Sequence, residues 1–91
     1  MALTTEQLRE RAEIIVAAIA NSTAKERDRP ATVGLCENYN DLLRAVLQQR
    51  PELAGDLPKP VTFSVDARKY KTAEARYLDL QIYCEQVMAL L

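Results

Sequence analysis

The chain has 91 residues, with 12 Lys+Arg against 13 Asp+Glu, no histidine and no tryptophan, and 48% of its residues are hydrophobic. This length predicts a single helical domain over residues 1–91 with a thin core, since a chain this short buries only about 60% of its unfolded-state surface. The missing histidine excludes Ser-His-Asp and Cys-His catalysis, Cys₂His₂ zinc and Glu-x-x-His di-iron sites, and the near-neutral charge argues against nonspecific nucleic-acid binding.

A first helix is predicted over 5–21. Thr4 suits the N-cap, with Gln7 completing a capping box. Leu8, Ala12, Ile15 and Ile19 recur at helical spacing and form an apolar row. Ile14 to Ala20, ending in Ala18-Ile19-Ala20, has some features of a cleavable leader. Glu6, Glu10 and Glu13 interrupt it, so it reads as an amphipathic helix. Asn21-Ser22-Thr23 matches a glycosylation acceptor, which matters only in a secretory compartment. The expected location is cytoplasmic.

Residues 21–31 read as a solvated loop of alternating charge, closed by Pro30. A second helix is predicted over 33–50, capped by Thr32. Leu35, Tyr39, Leu42 and Val46 form one apolar row, with Cys36, Leu43 and Leu47 beside it. Glu37, Asp41, Arg44 and Gln48 form the polar row. Pro51 to Gly55 reads as one helical turn, with proline at its start and glycine past its end.

Residues 56–64 are predicted to be an extended, Pro-rich connection carrying Pro58 and Pro60. Val61 to Val65 alternates like a strand but has no evident partner in the chain. It is expected to pin Phe63 onto the core or to be completed by another subunit. The third helix is predicted over 65–91. Tyr70, Ala73, Tyr77, Leu80, Cys84, Val87 and Leu91 step by three and four without a break. A start at Thr72 is the alternative. The expected fold class is therefore all-α, a small three-helix bundle.

Of the 15 residues from Tyr77 to Leu91, 11 are apolar. Leu78, Ile82, Met88 and Leu90 lie off the main stripe, so apolar surface covers most of this helix. Two other helices cannot easily enclose it, and an exposed patch of that size needs a cover. The expected function is a non-enzymatic protein–protein interaction module. It self-associates, or docks a helical partner, through Tyr77, Leu80, Tyr83, Val87, Leu90 and Leu91. An alternative is an accessory protein that binds an anion, a nucleic acid or an acidic partner through the basic turn. Arg68, Lys69, Tyr70, Lys71 and Arg76 are its contact residues, although nucleic acid is disfavoured by the balanced charge.

A small enzyme without a recognisable motif is the remaining alternative. Cys36 and Cys84 fall on apolar stripes with no base beside them, and are expected to be buried, reduced thiols. The chain has only two glycines, and no Walker loop or dinucleotide-binding motif. No catalytic residue, cofactor or metal site is expected, nor any membrane span.

Overall fold

The computed structural model describes residues 3–91. Four helices and a two-stranded hairpin follow one another: α1 (Thr5–Ala20), α2 (Ala24–Arg27), α3 (Val33–Gln49), a 3₁₀ turn (Pro51–Leu53), β1 (Phe63–Val65), β2 (Lys71–Ala73) and α4 (Tyr77–Leu90). The molecule is mostly helical, and the small sheet makes it less than all-α.

The helix starts are written in local chemistry. The Thr4 hydroxyl accepts the Gln7 amide at 3.1 Å and the Gln7 side chain accepts the Thr4 amide at 2.9 Å. Thr23 and Glu26 repeat this arrangement, which turns part of the expected loop into the four-residue α2. Thr32 caps α3 by accepting the Leu35 amide at 3.4 Å. Such caps satisfy amides that the first helical turn leaves without partners.

The core is a seam between α1, α3 and α4. Leu8, Ala12, Ile15 and Ile19 of α1 meet Cys36, Tyr39, Leu42, Leu43 and Val46 of α3 and Leu80, Cys84 and Val87 of α4, all buried. Each large aliphatic side chain enclosed there contributes about 1.5–3 kcal/mol. Inside the seam the Tyr39 ring stacks on Tyr83, with centroids 5.9 Å apart. The Tyr39 hydroxyl donates to the Lys59 carbonyl at 3.1 Å. Burial raises the pKa of this phenol, and the nearby Cys84 and Tyr83 add to the effect.

Asn40 then fixes the connection. Its Oδ1 accepts the Val61 amide at 2.8 Å and its Nδ2 donates to the Val61 carbonyl at 3.0 Å. One side chain on α3 thus behaves like a strand neighbour and leads the chain into β1. Strand β1 pairs antiparallel with β2 in the register Phe63↔Ala73, Ser64↔Thr72, Val65↔Lys71.

This hairpin corrects the expected helix over 65–91. Residues 71–73 are a strand, and α4 begins at Tyr77. The partner that Val61–Val65 lacked in the sequence reading is 71–73 of the same chain. Within Lys71-Thr72-Ala73 only Ala73 is buried, while Tyr70, Ala73 and Tyr77 are spaced like a helix, so the local pattern leaves both states open. Asp66 decides between them. Its carboxylate accepts the amides of Arg68 at 2.8 Å and Tyr70 at 2.9 Å, and its carbonyl accepts the Lys69 amide at 2.9 Å. Lys69 sits at φ 64°, the left-handed position that a three-residue hairpin loop needs. Glycine is the usual occupant, so the turn had no glycine to mark it.

A short bridge closes the structure at the start of α4. The Ala31 amide donates to the Ala75 carbonyl at 2.9 Å and the Tyr77 amide donates to the Arg29 carbonyl at 3.1 Å. Asp79 accepts the Arg76 amide at 3.0 Å and caps α4. This backbone hydrogen bond, reinforced by the Arg76 guanidinium, lowers the Asp79 pKa. Among the described residues no helix is long and apolar enough to cross a membrane.

Candidate functional site

Three exposed features stand out among the described residues, besides single exposed side chains such as Ile14 on α1. The first is the outer face of α4. On this helix Leu80, Cys84 and Val87 point inward and are 0% exposed. Leu78 and Ile82, one turn apart, point the other way and are 40% and 43% exposed. Ala89, seven positions beyond Ile82, extends the same outer face and is also exposed. Leu78, Ile82 and Ala89 thus form an apolar ridge on the side of α4 facing away from the seam.

The expected contact residues divide accordingly. Leu80 and Val87 are enclosed by the chain's own helices, so truncating either one acts on folding. Tyr77, Tyr83, Leu90 and Leu91 are half-buried and flank the core. Leu78 and Ile82, noted in the sequence only as lying off the stripe, are the ones left outside. Helical spacing predicted two apolar faces, but not which would be covered.

The second feature is a groove between α3 and the Pro-rich connection, with a volume of about 370 Å³. Leu43 and Leu47 form its α3 wall, Ala54, Leu57, Pro58 and Pro60 its other wall, and Arg44 and Lys59 stand at the rim. Arg44 is paired with Asp41. Lys59 makes no ion pair among the described residues. Leu57 and Pro58 also line a shallow cleft against Gln86, Ala89 and Leu90 of α4. The cleft, which Asp56 also lines, therefore runs from the groove to the C-terminal end of α4 at Ala89. Nothing in the local sequence announces the groove, because its walls come from segments that only the tertiary fold brings together.

The third feature is the hairpin tip. Of the expected basic turn, two members are engaged by their own chain. Lys71 pairs with Glu37 at 3.2 Å and lies over the Phe63 ring, 4.3 Å from its centroid. Arg76 pairs with Asp28 at 2.9 Å and with Asp79 at 3.4 Å. Arg68, Lys69 and Tyr70 stay exposed at the tip, and Tyr70 is 67% exposed.

The thiols offer little nucleophilic chemistry. Cys36 and Cys84 are free and buried. Burial pushes the Cys84 thiol up to about 12 and raises that of Cys36 as well. Neither is a thiolate at neutral pH, and the thiolate is the reactive form. No group of three or more Cys, Asp or Glu side chains that could hold a metal ion occurs among the described residues. No protein-family model, curated protein or solved structure matches the chain.

Proposed function

We propose that this protein is a non-enzymatic protein–protein interaction module that self-associates through the outer ridge of α4. The observation that supports this is the exposed pair Leu78 and Ile82, a turn apart, on a helix whose opposite face already fills the core. A helix that serves only its own fold keeps a polar outer face. Here two large aliphatic side chains are each about two-fifths exposed, and burying what remains against a partner would recover about 1 kcal/mol each. Leu78→Asp and Ile82→Asp test the reading by sedimentation or light scattering. The wild-type chain should form a larger species at micromolar concentration, and each variant should be monomeric with an unchanged circular dichroism spectrum. A wild-type chain that stays monomeric at all accessible concentrations overturns the reading.

The hairpin tip supports a second reading, as a contact for an anionic partner. Among the described residues Arg68 and Lys69 make no ion pair, whereas Lys71 and Arg76 do, and Tyr70 stands beside them. Exposed cations with an aromatic neighbour suit phosphate and base contacts. A single-stranded oligonucleotide at low salt should bind in a salt-sensitive way, and Arg68→Ala with Lys69→Ala should abolish it. No binding at low salt removes this reading.

A further inference from the structure

The groove between α3 and the Pro-rich connection is apolar inside and carries charge of one sign at its rim. The apolar stripe of α3 outruns the core here. Leu43 is 4% exposed, but Leu47, one turn on, is 37% exposed. Leu57, Pro58 and Pro60 form the opposite wall. Among the described residues the charged side chains lining the groove are Arg44 and Lys59, both cationic. Nearby carboxylates answer them only in part. Asp56 lines the adjoining cleft and not the groove. Asp41 engages Arg44 as an exposed pair, which is held weakly and leaves other guanidinium donors free. Lys59 makes no ion pair among the described residues.

The groove is also built in advance. Its connection wall is tied to α3 on both sides of Pro60. The Tyr39 hydroxyl donates to the Lys59 carbonyl at 3.1 Å, and Asn40 brackets Val61 with bonds of 2.8 and 3.0 Å. The Leu57 amide donates to the Leu53 carbonyl at 3.1 Å, and Pro58 and Pro60 restrict the backbone between these ties. A wall fixed in this way loses little freedom when a ligand enters. The volume of about 370 Å³ falls at the small end of the range for small-molecule sites, about 300–1,000 Å³. An apolar body suits the leucines, and a single anionic end suits the cations. We infer that the groove binds a small amphipathic carboxylate of the medium-chain fatty acid class. Its chain lies along Leu43, Leu47 and Leu57, and its carboxylate meets Lys59 and Arg44. Neither Leu78 nor Ile82 lines this groove, so the site is independent of the self-association proposed above.

Octanoate and octylamine test the site, since they share one alkyl chain and differ in the sign of the end group. Amide chemical shifts of the isotope-labelled chain, titrated with each at low salt, read both affinity and place. Octanoate should bind saturably, with shifts centred on residues 43–47 and 57–60. Octylamine should bind about fivefold more weakly or worse. Lys59→Glu should weaken octanoate about threefold to tenfold and improve octylamine. Lys59 is exposed and its tie to Tyr39 uses the backbone carbonyl, so this variant keeps the wall. Leu47→Asp should remove binding of both probes, and thermal unfolding confirms that each variant is folded. Equal affinity for the two probes overturns the proposal, as does octanoate binding that Lys59→Glu leaves unchanged or that shifts amides elsewhere. Absence of octanoate binding at millimolar concentration also overturns it and leaves the groove to a polypeptide partner. Groove amides that shift when the ligand-free chain is diluted would show a second copy seated there, and this too overturns it.

Discussion

Leu8, Tyr39, Leu80, Cys84 and Val87 are all 0% exposed in the helical seam, and the seam buries no charged side chain among the described residues. In the hairpin every residue from Ser64 to Thr72 is exposed. The seam coheres through apolar area, a non-directional force shared over many contacts. The hairpin has little area to use. It is held by the Asn40 clamp on Val61, the Asp66 turn and the Lys71 pair with Glu37 and Phe63. A two-stranded ribbon is marginal by itself in water, so its shape depends on single polar groups. Stability in this molecule is thus distributed in one region and concentrated on a few residues in the other.

The largest test of that contrast is Leu80→Ala. It should cost about 2–5 kcal/mol by chemical denaturation, since a wholly buried leucine leaves a cavity. Leu78→Ala, two residues away on the outer face, should cost under about 1 kcal/mol in the monomer. Equal costs would mean that the two faces of α4 are not different in kind.

Alkaline titration comes next, through the two raised groups of the seam. Cys84 is pushed from its ordinary 9.0 to about 12, and Tyr39 is raised as well. A group whose pKa is raised on folding gives stability that is complete below its unfolded value. The Cys84 contribution should therefore be full below pH 9 and fade as the pH climbs towards 12. The loss should be on the order of a few kcal/mol. Thiol labelling of the native chain at neutral pH should be slow and should accelerate only on unfolding. Fast labelling would contradict the sealed seam.

Asn40→Ala should cost about 2 kcal/mol, because it removes two hydrogen bonds and leaves both polar groups of Val61 without a partner. The accompanying change should be local, with amide exchange from 61 to 73 accelerating ahead of that in α1. Uniform acceleration would mean that hairpin and seam open as one unit. Lys69→Gly should stabilise the protein by about 1 kcal/mol, since glycine holds a positive φ without the steric cost that a side chain pays. A destabilised variant would show that the Lys69 side chain has a role at the tip.

The smallest effect belongs to Asp79. Its carboxyl is held below the usual range by the Arg76 amide and guanidinium. Its contribution is therefore present above the unfolded carboxylate pKa and lost as the pH falls through the folded one. Asp79→Asn should cost about 0.5–1 kcal/mol at neutral pH, and the difference from wild type should vanish in acid.

Much of the helical part is legible in the sequence. Thr4 with Gln7, and Thr32, mark helix starts that the structure places where the caps put them, and the rows Leu8–Ile19 and Leu35–Val46 lie along helices as their spacing implies. The candidate site is legible only in outline. The apolar excess of 77–91 is plain, yet the expected contacts Leu80 and Val87 prove to be core, and Leu78 and Ile82 take the outside. Among the basic residues, spacing cannot show that Lys71 and Arg76 meet Glu37 and Asp28, 34 and 48 positions away.

What the sequence by itself determined is whatever rests on neighbours within a turn: caps, apolar rows, the proline stop, and the surplus of apolar residues near the end. Those interactions act over three or four residues and leave a direct pattern. The tertiary structure alone decided the pairing of 63–65 with 71–73, the start of α4 at Tyr77, and which of two apolar faces is covered. Each of these depends on a distant group, such as Asn40 clasping Val61 or α1 packing onto α4. A local pattern that fits both helix and strand is settled by such a group and by nothing nearer.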